Sequence, residues 1–234
     1  GRSRFGAFDR TRIPGDRGEC HPYLRDQMSL SEKFSGFTKE QISLLRKLDS
    51  PQKIQDFLEA MRANFGETNM SPKKVLEKRK AHCFEGALLA AAALRFHGKE
   101  PLIVDLKTTH NDDDHVLAVF RQNGRWGAIT KTNHAVLRYR DPVFKSIREL
   151  VMSFFNEYFL KDGRKTLRSY SKPIDLARFD KFDWMTSEKN LEFIADAIDK
   201  EPHTAILDKK MIVSLRRADQ FEKKVFEVSQ WKKK

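Results

Sequence analysis

The sequence is poor in cysteine, with Cys20 and Cys83 the only two in 234 residues. They lie far apart and in unlike contexts, so a disulfide framework is not expected and a reducing compartment fits best. Long apolar runs are also missing. The longest, Ala87–Leu94, falls well short of the roughly 20 residues that span a bilayer, so no membrane association is expected. No apolar stretch near the N-terminus has the form of a secretory signal, and a cytoplasmic setting is the expectation. There is no internal repeat and no low-complexity tract, which argues against solenoid and array architectures. No CxxC or HxxxH pair offers a metal-ligand spacing. Neither a metal nor a cofactor is therefore assigned.

What the chain does have is charge and apolar residues. Lys and Arg number 45 against 33 Asp and Glu, a formal net charge of +12, and the sequence ends in Lys232-Lys233-Lys234. The basic residues are interspersed with acids and read as a solvated surface. Charge alone supports only non-specific attraction, and with no recognition motif no specific nucleic-acid partner is expected. The 39% hydrophobic content, with 18 Phe, suffices for one sizeable core or a core plus a small appendage. Oligomeric state is left unassigned.

Residues 1–27 read as an irregular arm rich in Gly, Pro and Arg, and Cys20 belongs to it as an incidental thiol. Three helix starts follow. Thr38 with Gln41 has the spacing of a capping box, ahead of Ile42, Leu45 and Leu48 at helical period. Ser50-Pro51 and Ser71-Pro72 each place Pro at a first helical position. His82–Ala87 begins a helix whose body, Leu88–Phe96, is nearly all apolar, hence buried on most faces, and Gly98 stops it. Leu102–Leu106, His115–Arg121 and Arg125–Thr132 read as strands, with Asn123-Gly124 a two-residue hairpin turn. If Gln122 pairs with Arg125, Leu117 faces Thr130 and His115 faces Thr132. Ser146–Phe159 reads as an amphipathic helix. Residues 171–234 predict a helical C-terminal extension with helices over Thr186–Ile198 and Ala218–Trp231, beside a domain spanning 28–170.

Cys83 falls at the N-terminus of the buried helix, where the partial positive charge of free N–H groups favours thiolate and can hold an oxyanion. Its bland reading is a small buried hydrophobe. His115 heads a strand, and its bland reading is an exposed strand entrance. Asp112, Asp113 and Asp114 precede it, as a solvated loop or as neighbours that favour its charged form. Glu85, two residues after Cys83, lies on a different helix face and reads as an anchor, while His82 is expected to point away.

Three blocks, Ala81-His82-Cys83-Phe84-Glu85-Gly86-Ala87, Asp114-His115-Val116-Leu117-Ala118-Val119-Phe120 and Trp126-Gly127-Ala128-Ile129-Thr130, resemble in order and spacing the transglutaminase-like branch of the papain-type cysteine peptidase superfamily. The resemblance covers residues 71–132. In that branch a Cys opens the central helix, a His starts a strand, and an acid on the next strand orients the His. It implies an α+β, papain-like fold with a Cys-bearing central helix packed on an antiparallel sheet. It also implies acyl transfer to water or an amine through Cys83 and His115, acting on a protein, a peptide or a small amide. The third block departs from the family, with Thr130 where the acid stands. Thr130 can orient an imidazole without adding charge, and Thr132 and Asn133 are rival orienters. The implied site is thus a Cys83–His115 dyad, a triad completed by Asn133 or a remote acid, or an inactive binding module with a basic surface.

Overall fold

The computed structural model describes residues 30–232. The N-terminal arm with Cys20 lies outside the described residues. A short helix α1 (Leu30–Lys33) leads into α2 (Lys39–Lys47), α3 (Pro51–Ala60) and α4 (Pro72–Lys78). Thr38 and Gln41 form the capping box in both directions, and Ser50 and Ser71 cap their helices by accepting from Lys53 and Lys74 N–H. Strands β1 (Arg62–Ala63) and β2 (Lys80–Ala81) make a small parallel pair just before α5 (Cys83–Phe96). Every side chain from Phe84 to Arg95 is buried, as an all-round apolar helix requires. Gly98 (φ +74°) closes α5 with Lys99 N–H bonded to Leu94 O at 3.0 Å and Gly98 N–H to Arg95 O at 2.9 Å, a Schellman stop.

The main sheet begins with β3 (Leu102–Lys107), β4 (His115–Gln122), β5 (Arg125–Ile129) and β6 (Arg140–Phe144). Asn123 (φ 50°) and Gly124 (φ 73°) both take positive φ, the condition for a type I′ hairpin. Gln122 pairs with Arg125, as the turn dictates, and the ladder runs to Ala118–Ile129. It ends one pair short of Thr130, and Thr132 lies beyond it.

Strands β7 (Ser169–Ser171), β8 (Ile174–Asp175) and β9 (His203–Ala205) complete seven strands in the order β6-β5-β4-β3-β7-β9, with β8 also on β3. Every pairing in this sheet is antiparallel. The chain is α+β with a mostly antiparallel sheet.

Two apolar layers sandwich the sheet. On one face Ile103, Val116, Ala118, Phe120 and Ile129 meet α2–α5. On the other Val104, Leu106, Leu117 and Val119 meet Leu150, Phe154 and Tyr158, around α6 (Ile147–Met152). Alternation along β3 and β4 sends successive side chains to opposite layers.

Two expectations are corrected here. The helix read over Ser146–Phe159 stops at Met152, and a 3₁₀ turn covers Phe155–Glu157. Ser153 Oγ donates to Leu150 O at 2.6 Å, competing with the helical pattern at its end. The region 171–234 is not a separate helical extension. It holds α7 (Glu192–Asp199) and α8 (Lys209–Ser214), but it also supplies β8 and β9, and Ile174, Leu176, Trp184, Leu191 and Ile194 share the buried cluster of α5. Ala218–Trp231 contains a 3₁₀ turn over Glu222–Glu227 in place of an α-helix. Strands of two or three residues carry too little alternation to read from sequence. Among the described residues no helix is long and apolar enough to cross a membrane.

Candidate active site

Cys83 is the first residue of α5, and His82 is its N-cap. The amides of the first turn have no carbonyl four residues back to bond. They point with the helix dipole at whatever sits beyond the N-terminus. The cap is held in place by Glu85, which is completely buried. Its carboxylate accepts from Asn64 Nδ2 (2.9 Å), Thr68 Oγ1 (2.6 Å), Met70 N–H (3.0 Å) and His82 N–H (3.1 Å). Four donors satisfy one buried charge, which is the condition for its burial, and they stitch the 64–70 loop to the start of α5. Glu85 is the anchor its position suggested.

Gly86 sets the other wall. A Cβ there would stand 2.3 Å from Lys131 Cβ, so only glycine lets α5 approach the segment after β5 so closely. Lys131 is buried and donates to Leu58 O (2.9 Å) and Met61 O (2.6 Å), capping the C-terminal carbonyls of α3. Burial, reinforced by the charge of Arg138, lowers its ammonium pKa to about 8.

Between these walls lies a cavity of about 390 Å³, within the size range of small-ligand sites. Cys83, His82, His115, Asn133, Tyr158 and Phe226 are among its lining residues. The structure thus brings Cys83 and His115 together. It also brings in His82, which sequence reasoning had turned away. Adjacent residues diverge only when both follow the helical path, and His82, at φ −97° and ψ −173°, is an extended cap residue whose ring folds back. His82 Nε2 donates to Thr68 O at 2.5 Å and lies 3.6 Å from Glu85 Oε1.

Burial pushes the partly exposed Cys83 thiol up, but hydrogen bonds from His115 and then His82, with their charges, outweigh it and hold the thiol at about 5. Burial works against charge on His82 as well. Hydrogen bonding to Cys83, the Glu85 and Cys83 charges and the Thr68 carbonyl overcome it and raise the ring to about 9. Each group thus favours the charged form of the other.

None of the three proposed orienters is bonded to His115. The Thr130 hydroxyl is buried and donates to Leu137 O at 2.8 Å, while its backbone is bonded on both sides by Gln55. Thr130 is also not among the residues lining the cavity. Asn133 lines the cavity but clamps the C-terminal segment, its Nδ2 donating to Trp231 O (2.9 Å) and its Oδ1 accepting from Trp231 N–H (2.8 Å). Thr132 Oγ1 accepts from His134 N–H at 3.1 Å. Asp112 and Asp114 are engaged in their own loop and its neighbours, Asp112 by Thr166 Oγ1 and Asp114 by Thr108 N–H and Lys107. His115 Nε2, in a ring only 6% exposed, has no hydrogen-bond partner among the described residues.

With this geometry, comparison with known proteins gives no family assignment. No protein-family model matches the chain, and no curated protein does.

A second polar cluster borders the thiol on the α7 side. Lys107 bonds Asp114 at 2.6 Å and Asp199, and lies 3.4 Å from Asp105, which His203 Nε2 meets at 3.1 Å. Burial works against the Lys107 charge, yet the hydrogen bonds to Asp114 and Asp199 raise its pKa. The cluster is mutually satisfied and fixes β3 against α7.

Proposed function

We propose that the protein is a transglutaminase-like thiol enzyme that transfers or hydrolyses an acyl group through Cys83 and His115, on a papain-like version of the α+β fold. The observation carrying this reading is a thiol at the first turn of a buried helix, hydrogen-bonded by two imidazoles that favour its ionised form. A thiolate is the nucleophilic form, and structural buried cysteines do not carry such surroundings. His115 and His82, the latter tied to Thr68 and Glu85, keep the sulfur charged. His115, hydrogen-bonded to the sulfur, protonates the leaving amine. The Cys83–His115 pair then works as a dyad, with no orienting acid, and the first-turn amides of α5 face the developing oxyanion. A protein, a peptide or a small amide is the substrate class, and the acceptor is water or an amine.

One observation favours a second reading, a binding module without turnover on the same scaffold: no carboxylate is bonded to His115 among the described residues.

Iodoacetamide alkylation of Cys83 against pH, with Cys20 changed to Ser, separates the two. The enzyme reading expects reaction well below the ordinary thiol pKa of about 8.5, with that reactivity diminished in His115→Ala. An inert Cys83, or one indifferent to His115, leaves the scaffold as a binding module.

A further inference from the structure

Four buried side-chain polar atoms have no partner among the described residues: His115 Nε2, Tyr139 Oη, Tyr158 Oη and Trp231 Nε1. Two of the four, on His115 and Tyr158, belong to residues that line the Cys83 cavity. Leaving a buried hydroxyl unbonded is unfavourable, because its desolvation is not offset. Such groups call for a specific reason, and a catalytic role is one.

Tyr158 is 3% exposed and its ring packs in the core with Leu106, Leu117 and Phe154. The backbone fixes it too, since Tyr158 O accepts from Thr166 N–H at 3.1 Å immediately after the 3₁₀ turn. The early end of α6 therefore does something definite: it turns the chain so that an aromatic ring reaches the core while its residue lines the reaction cavity. Burial above all, and then the nearby Cys83 charge, push the Tyr158 ionisation well above the ordinary range. The hydroxyl keeps its proton and is a donor.

Resting on the acyl-transfer reading above, we propose that Tyr158 is a catalytic residue, its hydroxyl donating a hydrogen bond to the carbonyl oxygen of the acyl group as that oxygen becomes an oxyanion. The Cys83 sulfur forms a bond to the carbonyl carbon, and the C=O π pair moves onto oxygen, where the Tyr158 O–H and the first-turn amides of α5 receive it. When the C=O re-forms, the bond from carbon to the leaving group breaks and its pair departs with that group. An amine leaves with a proton from the imidazolium, whereas a phenolate leaves without one. A preorganised donor of this kind acts where water is excluded and charge develops.

The test uses two probes on the full chain carrying Cys20→Ser, with and without Tyr158→Phe. p-Nitrophenyl acetate acylates a thiolate through a tetrahedral oxyanion, read as p-nitrophenolate release and as an acetyl adduct on Cys83. Iodoacetamide alkylates the same thiolate by displacement, with no oxyanion. Phe keeps the ring and removes only an unbonded hydroxyl, so the variant is expected to fold with unchanged or raised stability. The expected result is acylation slowed by about 10²-fold, the scale of losing one oxyanion donor, with alkylation unchanged. Equal acylation in both proteins overturns the proposal. So does an equal loss with both probes, which would place the hydroxyl on the thiolate. A wild-type thiol inert to both probes overturns the acyl-transfer reading itself, a result distinct from an active wild type indifferent to Tyr158.

Discussion

His82 and His115 both meet the Cys83 thiol, yet one ring is wired into the protein and the other is not. His82 is bonded through its backbone to Glu85 and through Nε2 to Thr68. His115 and its cavity neighbour Tyr158 keep a buried polar atom without a partner. The wired side belongs to the anchor of α5 and sets a permanent electrostatic environment. The residues of the unwired side line the cavity, and each keeps hydrogen-bonding capacity that no described residue satisfies. Both rings favour the thiolate on this account, His115 more than His82, and proton delivery belongs to the second side.

The largest expected effect falls on the unwired side. His115→Ala is expected to lower acyl transfer by about 10²–10⁴-fold, the usual contribution of a positioned acid–base group. p-Nitrophenyl acetate is too activated to need the full proton transfer, so an amide or anilide should show a larger loss than the ester. Equal losses on both would break the division of labour.

Glu85→Ala comes next and reads on stability. Removing the carboxylate strands Asn64, Thr68 and two backbone amides around a buried hole, at a cost of about 3 kcal/mol. Urea midpoints check this. A fall of that size in Glu85→Ala beside a near-neutral Tyr158→Phe would sharpen the contrast between the wired and unwired groups.

A third prediction concerns pH. Cys83 is depressed to about 5 in the fold against roughly 8.5 unfolded, so its contribution is lost as pH falls through 5. His82 is raised to about 9 against roughly 6.5 unfolded, so its contribution is lost as pH rises through 9. Between those unfolded and folded values the two slopes oppose. The stability difference between wild type and Cys83→Ala should therefore rise from about pH 5 to about pH 6.5 and more slowly above it. A difference flat below pH 6.5 would mean the thiolate pair is absent.

The smallest expected effect concerns the C-terminal segment. Val225 and Phe226 line the cavity, and Gln230 N–H, the Trp231 backbone and Gln230 Nε2 tie the segment to Asn133 and Glu59. Much of it is exposed. Deleting residues 222–234 is expected to speed labelling of Cys83 by a bulky maleimide a few-fold while leaving iodoacetamide unaffected, since only the larger reagent meets that wall.

The elements whose signals are local were legible in the sequence. The capping boxes and Pro starts of α2–α4, the apolar run of α5 with its Gly98 stop, and the Asn123-Gly124 turn with its register each depend on residues within a few positions. The pairing of Cys83 with His115 comes from the family resemblance of the blocks carrying them, since strand pattern alone leaves His115 at an exposed entrance. What could not be read depends on long-range packing. β7, β8 and β9 are too short to show a period, and their place beside β3 is decided by the core. Thr130 and Asn133 have the chemistry of orienters, but Leu137 and Trp231 claim them, and neither partner could be foreseen from spacing. Tyr158 sits in what reads as one amphipathic helix, and only the early end of that helix sends it to the cavity. His82 is expected to point away from its neighbour Cys83, but as an extended cap residue it lines the same cavity.

The most direct test of the central claim is the ultraviolet titration of the thiolate in the native chain carrying Cys20→Ser, with Cys83→Ser as the blank. The account predicts a midpoint near 5, moving upward in His82→Ala and in His115→Ala. A midpoint near the ordinary thiol value of about 8.5, unmoved by either substitution, would contradict it and leave Cys83 a small buried side chain at the start of a helix.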